Sequence, residues 1–112
     1  MNLPKKIKVM CRDYIVRAMN AHEEGDNQVF GRCDRELALI TVDTRCSSQK
    51  QAHTLLHELI HSIIFEMGIY KHFHAGDRTI TEEDVTTSIS NGLAAVIRDN
   101  PGLMQIIQKG LK

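Results

Sequence analysis

Residues 49–68 read Gln-Lys-Gln-Ala-His-Thr-Leu-Leu-His-Glu-Leu-Ile-His-Ser-Ile-Ile-Phe-Glu-Met-Gly, and their periodicity decides the fold. With His57 at zero on a wheel of about 100° per residue, Leu55, Leu59, Ile63 and Met67 fall between about 160° and 280°. Leu56, Ile60 and Ile64 extend the stripe to about 340°. So broad an apolar arc predicts a helix over 49–67 that is buried on more than one side, the central helix of its domain. Ser48 and Gln51 fit an S-x-x-Q capping box at its start, and Gly68 fits a terminating glycine.

Inside this helix lies His57-Glu58-Leu59-Ile60-His61, an H-E-x-x-H motif. Side chains four apart stand one turn above each other, so two imidazoles converge on one tetrahedral Zn²⁺. Glu58 lies about 100° round the helix from His57, outside the metal's reach but placed to act as general base on a water. A third protein ligand is then required, with the fourth position left for water. Chance placement of this chain's His and Glu residues gives roughly 0.02 such motifs per sequence. The bland alternative is a pair of core histidines, which would need several specific partners to offset the cost of burial.

Toward the N-terminus the period changes. Residues 5–17 are rich in β-branched residues and read as one or two strands around a turn near Arg12-Asp13, with Ile7 and Val9 on one side and Tyr14 and Val16 on the other. Residues 21–28 are polar and read as a loop. Val29 to Cys33 reads as a short strand, Cys33-Asp34-Arg35-Glu36 as a turn, and Leu37 to Asp43 as a strand whose edge would suit an extended peptide. Toward the C-terminus, residues 69–78 read as a loop. A second helix starts near Thr79 or Thr81 and ends at Asp99. Asn100 and Pro101 would then cap a third short helix, carrying Leu103, Ile106 and Ile107 on one face and fraying at Gly110. Strands followed by helices make an α+β domain: a small N-terminal antiparallel sheet on the H-E-x-x-H helix and a second long helix.

The second helix is the expected source of the third ligand. The candidates are His72, His74, Asp77, Glu82, Glu83 and Asp84. Val85, Ile89, Leu93 and Val96 lie within about 60° of Glu82 on the wheel, which puts Glu82 on the apolar face and Glu83 and Asp84 toward solvent. Glu82 is therefore the first choice and Glu83 the second. A competing role for Glu82 is a capping box with Thr79. Tyr70, His72 and His74 are candidates for oxyanion donors. His53, one turn before His57, reads as a neighbour of the site, and His22 as surface.

Composition bounds the rest. The 112 residues carry 14 basic and 14 acidic side chains and six histidines. Residues 1–50 hold nine basic and seven acidic groups and residues 51–112 five and seven, too even a split for a nucleic-acid surface. Cys11, Cys33 and Cys46 cannot all pair, and no C-x-x-C occurs, as expected of thiols in a reducing cytoplasm. No signal peptide or membrane-spanning stretch is visible.

The β-rich start, the Leu37–Asp43 strand, Thr54-Leu55-Leu56-His57-Glu58-Leu59-Ile60-His61, and a second helix opening Glu82-Glu83-Asp84-Val85 resemble the minimal gluzincin zinc peptidases. Within these, the chain looks most like the ImmA/IrrE family, in the short form often seen in phage and prophage genes. The similarity covers roughly residues 29–103 and includes Ser90-Asn91-Gly92-Leu93 through Arg98-Asp99-Asn100-Pro101. It implies one zincin-like domain over 1–112, with Zn²⁺ held by His57, His61 and a glutamate carried onto Glu82. It further implies Glu58 as general base, peptide-bond hydrolysis, and a protein or peptide substrate such as a transcriptional repressor. The usual E-x-x-A-N stretch is here Glu82-Glu83-Asp84-Val85-Thr86, which leaves the register of the third ligand open. Two other readings stand beside it: a catalytically silent zinc-binding interaction protein, and an SprT-like DNA-associated protease whose third ligand would be a downstream His.

Overall fold

The computed structural model describes residues 1–20, 22–23, 29–73 and 80–111. Four strands, β1 (Lys6–Val9), β2 (Arg12–Ala18), β3 (Gly31–Asp34) and β4 (Leu39–Val42), precede three α-helices, α1 (Ser48–Glu66), α2 (Glu82–Asp99) and α3 (Leu103–Gly110), with a short 3-10 turn at Ile69–Phe73. The α+β class is as expected. The sheet is not antiparallel throughout. Its order is β1-β2-β4-β3, and β2 runs parallel to β4 between two antiparallel pairs. Two local hairpins are thus joined by one parallel seam, where the Ile15 N–H donates to Ala38 O and the Met19 N–H to Val42 O, each 2.9 Å.

The first hairpin turns at Met10-Cys11, two residues before the expected Arg12-Asp13, with Met10 at φ 58°. The earlier turn pairs Ile7 with Tyr14 and Val9 with Arg12, which brings Ile7, Val9, Tyr14 and Val16 to one face. β4 is shorter than the expected 37–43 strand. Asp34 Oδ1 accepts the Leu37 N–H at 3.0 Å and Ala38 turns left-handed at φ 52°, so Leu37 stands exposed in the turn.

The core is one sheet face covered by α1. Val9, Tyr14, Val16, Ala38, Ile40 and Val42 are buried there, with Leu55 and Leu59 packed onto them. Tyr14 is wholly buried, and its hydroxyl donates to Glu66 Oε2 at 2.6 Å, where Arg12 also reaches at 3.1 Å. Burial and the Glu66 carboxylate raise the phenol pKa far above its usual value. The outer part of the expected α1 stripe is not core, because Ile63 and Met67 are exposed. The cap of α1 is Ser47, not Ser48, its side chain accepting the Lys50 N–H.

α2 packs against α1, but not through its apolar stripe. Its buried residues are Thr86 and Ser90, while Ile89 and Val96 are exposed. Small polar side chains let two helices approach where larger ones would hold them apart. Asn100 does not cap α3. Its side chain donates to Val96 O at 2.9 Å, closing α2, and α3 begins after Gly102 at φ 86°. The three cysteines are free, and among the described residues no helix is long and apolar enough to cross a membrane.

Candidate metal centre

Helical geometry sets His57 and His61 with ring centroids 4.9 Å apart. Both Nε2 atoms face one carboxylate: His57 Nε2 is 2.7 Å from Glu83 Oε1, and His61 Nε2 is 2.9 Å from Glu83 Oε2. The candidate ligand atoms of His57, His61 and Glu83 all lie within 4.8 Å of one another. The grouping therefore contains the second-choice glutamate. Glu82 is drawn elsewhere. Its Oε2 lies 2.5 Å from the other nitrogen of His61, Nδ1, and is ion-paired with Arg35. The physical reason is the wheel itself: consecutive residues of α2 point about 100° apart and so flank the His61 ring from opposite sides. The capping role proposed for Glu82 falls to Asp84, which forms the box with Thr81. Thr79, Asp77 and His74 lie outside the described residues.

The donor set fits zinc, which takes three protein ligands of this kind and leaves one position open. His61 supplies the sharpest argument. Burial holds its pKa below the usual imidazole value, and a neutral imidazole carries one N–H. Here it faces carboxylates at both nitrogens. A single proton can serve only one of them, and a cation between Nε2 and Glu83 would satisfy the other.

Glu58 is buried on the sheet-facing side of α1. Burial, reinforced by the nearby Glu83 charge, raises its pKa to about 7. Gly31 makes room for it. A Cβ at Gly31 would strike Thr54 Cγ2, and would stand 2.9 Å from Thr41 O and 3.3 Å from Glu58 Cγ. Glu58 and the three ligand candidates line a cleft of about 800 Å³, with Gly31, Arg32 and His53 on its walls.

Among the described residues β3, not the 37–43 strand, is the free edge of the sheet beside this cleft, because β4 is paired on both sides. Asp43 N–H donates to Phe30 O. Bonded pairs alternate along an antiparallel ladder, so Gly31 and Cys33 turn their main-chain N–H and C=O away from β4. Burial pushes the Cys33 thiol up to about 12, leaving it an inert group packed against the core.

The other candidates are dispersed. Tyr70 lies against Phe65 with ring centroids 4.9 Å apart, and neither it nor the exposed His72 lines the cleft. His53 is half-buried on the cleft wall, and His22 is exposed. Sequence reasoning missed Gly31 and Arg35. A glycine inside a predicted strand is a signal of close backbone approach, whereas an arginine in a turn gives no comparable signal. Comparison with protein-family models, curated proteins and solved structures found no match.

Proposed function

We propose that this chain is a zinc-dependent metallopeptidase with a zincin-like fold. The observation that carries the reading is the convergence of His57 Nε2 and His61 Nε2 on Glu83 beside the buried Glu58. His57, His61 and Glu83 hold the metal. Zn²⁺, when bound, polarises a carbonyl and makes a water nucleophilic near neutral pH. The free edge of β3 aligns an extended peptide through the main-chain groups of Gly31 and Cys33. Glu58 takes the proton of the attacking water on its carboxylate oxygen, holds it, and delivers it to the departing amine. Its desolvated surroundings suit a carboxylate that must both accept and release a proton near neutrality.

His72 lies outside the cleft, so among the described residues the donor geometry favours a glutamate third ligand over an SprT-like histidine. A cytoplasmic location accords with three free cysteines. A repressor as the protein substrate rests on the ImmA/IrrE resemblance.

The test pairs elemental analysis with a peptide-library cleavage assay. The untagged chain should carry near one zinc. Glu58→Gln should keep the metal and fold while losing at least about 100-fold in cleavage rate. Less than about 0.2 zinc per chain after gentle purification would sink the metal reading. A Glu58→Gln variant retaining metal and its cellular effect would instead establish the silent interaction protein.

A further inference from the structure

We infer that Arg35 and Glu82 form a positioning relay that fixes which nitrogen of His61 faces the metal. The inference rests on the metallopeptidase reading and names how that site is held in register. Glu82 Oε2 lies 2.5 Å from His61 Nδ1, while His61 Nε2 faces Glu83 at 2.9 Å. Arg35 comes from the β3–β4 turn, pairs with the same Glu82 oxygen, and lies 3.4 Å from His61 Nδ1. An arginine only donates, so it cannot bond to a protonated Nδ1. Glu82, an acceptor, sits between the Arg35 guanidinium and His61 Nδ1, so a proton on Nδ1 has a carboxylate to receive it. Both nitrogens face a carboxylate, but Glu82 is the nearer and the more buried of the two, which puts the proton of a neutral His61 on Nδ1 and leaves the Nε2 lone pair for a metal.

Arg35 is itself held. Its guanidinium carbon stands 5.5 Å from the Phe65 ring centroid and 6.0 Å from that of Tyr70. Those two aromatics tilt against each other just below the motif. Both partners of the Arg35–Glu82 pair are largely buried, with side-chain exposures of 23% and 14%, so water competes weakly for it. Phe65 and Tyr70 thus hold Arg35, Arg35 holds Glu82, and Glu82 orients His61. The adjacent glutamates divide the work: Glu83 binds and Glu82 orients.

The experiment measures zinc affinity by competition with a chromophoric chelator. Alongside it, long-range ¹H–¹⁵N correlation spectra of the zinc-free chain report the His61 tautomer, and circular dichroism reports the fold. The wild type should show the Nδ1–H tautomer. Glu82→Ala should mix the tautomers and weaken zinc binding about 10–100-fold. Glu82→Met, of similar size and without an oxygen acceptor, serves as the reading if the alanine variant does not fold. Arg35→Met should weaken binding less, and should add nothing to Glu82→Ala, because Arg35 acts through Glu82. Folded Glu82 variants with wild-type tautomer and affinity overturn the relay while leaving the metal reading in place. Loss of all binding in Glu82→Ala with binding kept in Glu83→Ala overturns it too, by exchanging the two roles. A wild-type chain that takes up no zinc overturns the metal reading and the relay together.

Discussion

Gly31 sets how near the edge strand lies to the H-E-x-x-H helix. Of the atoms a methyl group would meet there, Thr41 O is main chain, at 2.9 Å, and cannot rotate away. Gly31→Ala should therefore cost about 1–3 kcal/mol in urea unfolding. Thr54→Ser, which removes the Cγ2 methyl, should restore part of that loss. Tyr14 gives a second prediction, through its bond to Glu66. Tyr14→Phe should destabilise by about 1.5–3 kcal/mol, since the acceptor is charged. The bond also carries a pH signature. The folded phenol pKa is raised, so its contribution is complete below about 10, the unfolded value, and is lost as pH rises through the folded one. A wild-type stability profile that falls above pH ~10, flattened in Tyr14→Phe, checks the sign. At this scale the sequence was legible where helix spacing fixes geometry: His57 and His61, four residues apart, lie with ring centroids 4.9 Å apart. Arg35 was not legible, because the partner of a turn arginine is set by which elements fold over it.

Helices tell a similar story through their faces. The apolar periodicity of α2 located the helix correctly but misassigned its buried side. Thr86 and Ser90 meet α1, while Ile89 is 51% exposed. A helical wheel assigns the largest apolar residues to the core, and here close approach of two helices favours small ones. Two substitutions tell the faces apart. Ile89→Lys should change stability by no more than about 0.5 kcal/mol, whereas Ser90→Leu should cost about 1–3 kcal/mol by overpacking. Thermal unfolding of the two variants checks the pair, and the reverse ranking would restore the face read from periodicity. The same rotation explains which glutamate is the candidate third ligand. Glu82 does lie on the half-buried flank, as the wheel indicated, but a half-buried carboxylate there meets Arg35 before it meets the Nε2 side of the histidines. The more exposed Glu83, read as facing solvent, is the one near both Nε2 atoms.

For the whole molecule, the α+β class and the order of strands then helices were readable from the change of period, but the sheet topology was not. Four short strands with similar patterns admit several pairings, and only the tertiary contacts choose a parallel β2–β4 seam. That choice places β3 at the rim beside the cleft. One further consequence concerns hydrogen exchange. Amides on the seam, such as Ile15 and Met19, are bonded across it, so in deuterated water they should label only when the two hairpins separate. Gly31 and Cys33, whose main-chain groups face outward, should label within the dead time of the experiment. Added peptide should slow Gly31 and Cys33 and leave Ile15 and Met19 unchanged. A ligand that enters along the rim would then be recorded, residue by residue, as a delay in the clock of its amides.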